Sequence, residues 1–354
     1  MVKSICVAST NKLAGKSLAV LFLALKARSK GRSVGYFKPI GIGSSLDAEG
    51  HLVDEDAETM RRILSLKERP DLICPVTLPR DQFLESCPAA DARKLADRIV
   101  ASYRKLSEGK DVVLIEGPDR LWTGSFAGLP SPKVAAMLSA RLLLVSAFQD
   151  DSTVDDLIHA HDYCKQKGAS VAGAILTRIS AERMERTKRV IVPYLEARGL
   201  SVLGTVPEER KLAALTVRDI HEAIDGTILA GKEGMNRTIQ NYLVGAMTME
   251  SAMKYFRRAE DELVITGGDR TDIILAAMEA GAAAIVLTGN LQPTIKILPR
   301  ADDMAIPIIL VAHDTFTTLA KVQSTIGKIK PGDEERIAIA RELFERNTRV
   351  NGIL

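Results

Sequence analysis

The chain is poor in aromatic side chains, with 8 Phe, 6 Tyr and 1 Trp among 354 residues. That scarcity argues against the stacking platforms on which single-stranded nucleic acid is held. Charge of one sign is also lacking. Lys and Arg number 48 against 45 Asp and Glu, a net charge of +3, with no basic block. No nucleic-acid partner is expected from that balance. Cysteine is sparse: Cys6, Cys74, Cys87 and Cys164, none in C-x-x-C spacing. They read as small buried hydrophobes of a reducing compartment. The five histidines do not cluster, and His159 and His161, two residues apart, would not share a helix face. A histidine metal site is therefore not expected. No apolar run reaches membrane-spanning length. The first residues read as a strand, without a charged n-region or a cleavage site. The expectation is a cytoplasmic protein with no membrane partner.

What is abundant is aliphatic: 46% of residues are hydrophobic and 26% charged, and the length suits two ordinary domains. Short apolar strands alternate with longer amphipathic helices. Strands are expected at Ile5–Ser9, Ser33–Lys38, Val112–Glu116, Ala140–Ala147, Val171–Thr177 and Val202–Val206. Helices are expected at Lys16–Ser29, Asp54–Leu64, Ala90–Leu106, Pro132–Ser139, Asp151–Lys167 and Ala181–Arg198. Strands this apolar are buried on both faces, as in a parallel sheet. Right-handed crossovers then give an α/β, doubly wound layer. The rhythm pauses around Val217–Asn236, where Gly226, Gly231 and Gly234 read as a linker. A smaller α/β set follows. Its strands are Glu262–Thr266, Ala283–Leu287 and Ile306–Val311, and its helices Asp272–Ala280, Thr294–Ala301, Thr315–Gly327 and Asp333–Asn347. Asp333, after Pro331-Gly332, reads as an N-cap. The expected division is a domain over 1–218, a linker over 219–235 and a second domain over 236–354.

The most informative segment is Ser9–Ser17, STNKLAGKS, between the apolar run SICVA and a helical pattern. Gly15-Lys16-Ser17 is the closing half of a phosphate-binding loop, with Thr10 in place of the first glycine. Backbone N–H groups of such a loop surround phosphate oxygens, and the helix N-terminus adds partial positive charge. Lys16 would reach the outer phosphates and the Ser17 hydroxyl would sit on Mg²⁺. The bland alternative is a plain strand-to-helix turn. Against it, Lys16 opposes the helix dipole and calls for an anion. Three further segments lie where an open parallel sheet binds ligands, beyond the carboxyl ends of its strands. They are Tyr36-Phe37-Lys38-Pro39; Asp54-Glu55-Asp56 after the glycine-rich Gly41–Ser45; and the strand ending in Glu116-Gly117. Alone, Lys38 reads as a solvated strand end and Asp54–Asp56 as a helix cap. Together with the loop they supply the lysine and carboxylates that a Mg·nucleotide needs.

The order STNKLAGKS, YFKP, DEDA, VVLIEG resembles dethiobiotin synthetase, with its GTDTxxGKT, YKP, SDA and VEGAG segments. Thr10 matches the threonine of that loop. The resemblance implies ATP and Mg²⁺ as cofactors. It implies nucleotide contacts at Thr10, Asn11, Gly15, Lys16, Ser17 and Leu18, and Mg²⁺ held by Ser17, Asp56 and Glu116. It makes Lys16 and Lys38 the residues serving the reacting phosphate. Two departures stand out: Gly117-Pro118-Asp119-Arg120 replaces the glycine-rich turn, and Thr177-Arg178 stands where that enzyme carries a base-binding Asn. No Asn-Lys-x-Asp guanine signature follows. The stretch from Val202 to Val217 is similar to the N-terminal region of long bacterial phosphotransacetylases.

Three strand ends of the second half carry Gly, Thr and Asp: Thr266–Asp272, Leu287–Pro293 and Ala312–Thr315. Such loops suit an anion or small ligand, or equally serve as turns and caps. The stretch Asn236–Asn347 resembles the DRTGG domain through Asp269-Arg270-Thr271 and Thr288-Gly289, with Asn290 in place of the second glycine of TGG. Gly268, Asp269, Arg270, Thr271, Thr288 and Gly289 are thus candidates for a ligand or an interface. The family likeness also implies a homo-oligomer. The sequence ends at Leu354, short of an acetyltransferase domain, so acetyl transfer is not expected. No cysteine beyond Cys164 serves a glutaminase. The resemblance implies a Mg·ATP-binding regulatory or ligand-sensing protein. Its alternative is an ATP-dependent ligase or carboxylase of dethiobiotin synthetase type, acting on a small carboxylate or amine.

Overall fold

The computed structural model describes residues 2–43, 45–46, 50–79, 84, 92–213, 215–256, 261–325 and 329–354. Ser44, Cys87, the start of the helix expected from Ala90 and the end of that expected to Gly327 lie outside the described residues.

The first sheet is built from β1 (Lys3–Ser9), β2 (Val34–Phe37), β3 (Val112–Glu116), β4 (Arg141–Ala147), β5 (Val171–Ile179) and β6 (Val202–Pro207). Their order is β6-β5-β4-β1-β3-β2, and every pairing is parallel. All five residues of β3 and all four of β2 are buried, as expected of strands covered on both faces. Helix α1 (Lys16–Ser29) leaves the end of β1 and buries an aliphatic face of Val20, Leu21, Leu23 and Ala24. Helix α2 (Glu55–Ile63) is capped by Asp54, whose carboxylate accepts from the Ala57 amide at 2.8 Å.

The second sheet has β7 (Thr227–Ala230), β8 (Asn241–Val244), β9 (Glu262–Gly267), β10 (Ala284–Thr288) and β11 (Ile308–Leu310). Its order is β7-β11-β10-β9-β8, parallel except for the antiparallel edge strand β7. Apolar clusters cover both faces, one around Ile273, Ile274 and Ile285, the other around Val217, Ile220, Leu263 and Val286.

The chain falls into two units, Met1–Glu209 with Ile329–Leu354, and Arg210–Lys328. This differs from the expected division at two places. The stretch 219–235, read as a linker, belongs to the second unit: it contributes most of the helix Val217–Ile224 and all of β7. Its glycines answer to close packing. A Cβ on Gly231 would stand 2.1 Å from the Ile306 carbonyl oxygen, and one on Gly234 2.2 Å from that of Ala305. The helix Glu334–Asn347, assigned by position to the second domain, belongs to the first unit. It packs on α1, with the Phe344 and Phe22 rings 5.5 Å apart and Lys26 paired to Glu345. The long helix expected over Ala181–Arg198 is interrupted by a π turn at Thr187–Ile191.

Phe344 is 2% exposed. Phe344→Ala should lower the unfolding free energy of the first unit by about 3–5 kcal/mol. Urea denaturation checks it, and a loss below about 1 kcal/mol would mean that the C-terminal helix contributes little to that core.

Candidate functional site

Backbone geometry comes first. The loop after β1 turns through Leu13 (φ 57°) and Gly15 (φ 80°), both left-handed. Gly15 adopts this freely; for Leu13 it costs about 1–2 kcal/mol. Bonds from neighbouring strands hold the loop in place. Thr10 Oγ1 and Ser146 Oγ lie 2.7 Å apart. The Asn11 side-chain amide donates to the Ala147 carbonyl at 3.1 Å and accepts from the Ala147 amide at 3.1 Å. Gly15 caps α1, so Lys16, Ser17 and the half-buried Leu18 form its first turn.

Strand adjacency then decides which side chains meet. Because β3 pairs with β1, Glu116 sits opposite Val7, beside the loop. Lys16 Nζ donates to Glu116 Oε1 at 3.1 Å and to the Gly117 carbonyl at 2.6 Å. Ser17 Oγ donates to the same Oε1 at 2.7 Å. From β2, the Tyr36 hydroxyl donates to Oε2 at 2.9 Å. Glu116 is 0% exposed and Lys16 9%. A carboxylate so buried has to be paired and hydrogen-bonded, and this one is.

Next to this cluster, Lys38 is 3% exposed and donates to Asp54 Oδ1 at 2.7 Å and to Asp56 Oδ2 at 3.3 Å. The other Asp54 oxygen accepts from the Ile42 amide at 2.8 Å. Asp54 thus caps α2, anchors Lys38 and fastens the segment after β2 at once. In the sequence Asp54 reads as a cap and Asp56 as the functional carboxylate of this segment; Asp56 lies on the open side of Lys38 with its side chain 36% exposed. The sequence does not single out Tyr36, although a tyrosine in a buried strand needs a partner for its hydroxyl.

Burial works against the charge of Glu116, yet Lys16 and Lys38 outweigh it and hold the carboxyl below its usual range. Burial likewise works against the charge of Lys38, and Asp54, Asp56 and Glu116 overcome it, so its pKa is raised. Burial, and then the Glu116 charge, push the Tyr36 phenol well up. The thiols are inert in this setting: burial pushes Cys6 and Cys74 up to about 12.

Among the described residues, the ammonium groups of Lys16 and Lys38 pair here with the carboxylates of Glu116, Asp54 and Asp56. Among the described residues no group of three or more His, Cys, Asp or Glu could hold a metal ion. The Ser17 hydroxyl beside the Glu116 carboxylate nevertheless fits Mg²⁺, which takes few protein oxygens and fills its remaining positions with phosphate and water.

In the second unit, most of the candidate residues join loops to one another. Arg270 Nη2 donates to the Met247 carbonyl at 2.9 Å, and its Nε to Asp272 at 3.3 Å. The Thr271 and Thr294 hydroxyls lie 3.0 Å apart, as do those of Thr288 and Thr315 at 2.9 Å. The Gly289 amide donates to the His313 carbonyl at 2.8 Å, and Gly268 packs under the Leu291 carbonyl. Asp269 is exposed.

Because the Glu116 pKa is lowered in the folded state, its stabilisation is present above the ordinary value of 4.5 and is lost as pH falls through the folded value. Glu116→Gln should cost about 3–5 kcal/mol at neutral pH, with the deficit shrinking in acid. Unfolding curves at neutral pH and below 4.5 check this; a deficit independent of pH would rule out the carboxylate's charge as its source.

Comparison with known proteins identifies the domains of the chain. Residues 3–216 match the AAA domain and residues 219–325 the DRTGG domain. The phosphate acetyltransferases of Nitratidesulfovibrio vulgaris and of Synechocystis sp. are each 26% identical over 98% of this chain. The chain spans 50% of the length of each. Among solved structures, the septum site-determining protein MinD of Pyrococcus horikoshii, complexed with Mg-ADP, is 16% identical over 60% of this chain and 84% of its own, with a TM-score of 0.39. The chain belongs to the AAA domain family, carries a DRTGG domain after the P-loop domain, and resembles the N-terminal part of phosphate acetyltransferases.

Proposed function

We propose that the first unit binds Mg·ATP and that the protein acts as a nucleotide-dependent regulatory or ligand-sensing protein. The observation that carries this is the convergence of Lys16 and Ser17, from the helix after the loop, on the buried Glu116. Phosphate oxygens would replace Glu116 and Gly117 as acceptors for Lys16. The backbone amides of the loop and Leu18 would face the phosphates. Ser17 and Glu116 would hold Mg²⁺, which supplies charge neutralisation on the phosphate chain. Membership of the AAA domain family supports nucleotide binding.

The ligase reading is weaker, because of Lys38. To spread charge from a transferred phosphoryl group, Lys38 would have to leave Asp54 and Asp56, at 2.7 and 3.3 Å. It serves better as a positioning residue for the segment after β2. In the second unit we assign a small-ligand or copy-to-copy contact to the loops bearing Gly268, Asp269, Arg270, Thr271, Thr288 and Gly289, with Asp269 as an exposed charged group.

Lys16→Ala should weaken Mg·ATP binding about 10- to 100-fold with the circular-dichroism spectrum unchanged. Calorimetry checks it, and equal affinity in both proteins would remove Lys16 from the site. Phosphate release from Mg·ATP in the presence of small carboxylates or amines would revive the ligase reading. Asp269→Ala should change the sedimentation behaviour or the response to ligand and leave Mg·ATP affinity as it is; a variant identical to wild type in both would remove Asp269 from any contact.

A further inference from the structure

The end of β5 does something that the nucleotide reading does not use. Thr177 is 3% exposed, and its hydroxyl donates to the Ala14 carbonyl at 2.7 Å, with the Ser146 carbonyl at 3.2 Å. The next residue, Arg178, is left-handed at φ 54° although it is not a glycine. Its guanidinium donates to the Leu13 carbonyl at 3.3 Å and lies 3.9 Å from Glu208. The Glu208 backbone is tied in turn to the end of β5, donating to the Ile179 carbonyl at 2.9 Å. Leu13, at the other end of the Arg178 contact, is left-handed as well. Two non-glycine residues in this conformation, joined by one hydrogen bond, mark a geometry that its surroundings impose.

The consequence follows from the planarity of the peptide. In a trans peptide the C=O and the next N–H point in opposite directions. Drawing the Leu13 and Ala14 carbonyls toward β5 therefore turns the amides of Ala14 and Gly15 the other way, away from β5. Those amides are the ones a phosphate would meet.

We propose that Thr177 and Arg178 are positioning residues that preset the phosphate loop by anchoring its Leu13 and Ala14 carbonyls, acting on the phosphate chain of the ligand and not on its base. This rests on the nucleotide-binding reading above. It also gives Thr177-Arg178 a role other than that of the base-binding Asn whose place it takes.

The test titrates the full chain with Mg·ATP, Mg·GTP and Mg·tripolyphosphate by calorimetry, in wild type and in Arg178→Ala, Thr177→Val and Thr177→Ser. Arg178→Ala and Thr177→Val should weaken all three ligands by a similar factor, about tenfold, and Thr177→Ser should restore binding. If Arg178→Ala weakens the two nucleotides and spares tripolyphosphate, Arg178 is a base contact and the proposal falls. If wild type binds and both variants bind equally well, the proposal falls while the nucleotide reading stands. If wild type binds none of the three, both fall. Arg178 has a half-exposed side chain, so its variant should fold even if Thr177→Val does not.

Discussion

A carboxylate with no exposed surface at the end of a central strand is the constraint around which the first unit is organised. Glu116 is 0% exposed, and an unpaired charge there would cost several kcal/mol after any relaxation. Its partners come from two neighbours in the sheet: Lys16 and Ser17 follow β1, and Tyr36 lies on β2. This requires β3 to lie between β1 and β2, as the order β6-β5-β4-β1-β3-β2 provides. The strands on the other side of β1 hold the loop by the Thr10 and Asn11 side chains and the Ala14 carbonyl, through Ser146, Ala147 and Thr177. The loop is thus gripped from one flank and charged from the other.

Much of this fold is legible in the sequence, because strands buried on both faces are nearly continuous apolar runs. The six expected strands of the first sheet match those observed to within a residue or two. Partner choice is not legible in the same way. The helix Glu334–Asn347 shows its apolar stripe, but nothing local tells it to pack on Phe22 instead of on the sheet just before it in sequence. Glycine density misleads for a related reason. Gly231 and Gly234 look like flexibility, whereas their missing side chains admit the backbone at Ile306 and Ala305. Only the neighbour reveals which use a glycine serves.

The site divides along the same line. Lys16 and Ser17 announce themselves through the loop motif, and Glu116 through its place at a strand end. What stayed hidden are groups whose role depends on residues far away in sequence: Tyr36 on Glu116, Thr177 on Ala14, Arg178 on Leu13. Asp54 is the cap that its place before a helix suggests, and more than that. It is the cap of α2, and the same carboxylate anchors Lys38 and the Ile42 amide.

The two lysines differ in how readily they can change partners. Lys38 is held by two carboxylates, one of which also anchors a helix and a loop, so releasing it disturbs three elements together. Lys16 is held by one carboxylate oxygen and one backbone carbonyl, at the first turn of a helix whose other contacts do not involve its ammonium. If Lys16 moved away, Glu116 would keep the Ser17 and Tyr36 hydrogen bonds but lose its paired cation, so its buried charge would need another, a role Mg²⁺ would fill under the proposed function. Under the proposed function, a phosphate would draw on Lys16 and leave the contacts of Lys38 in place, which would make Lys16 the exchangeable element of the site and Lys38 the fixed one.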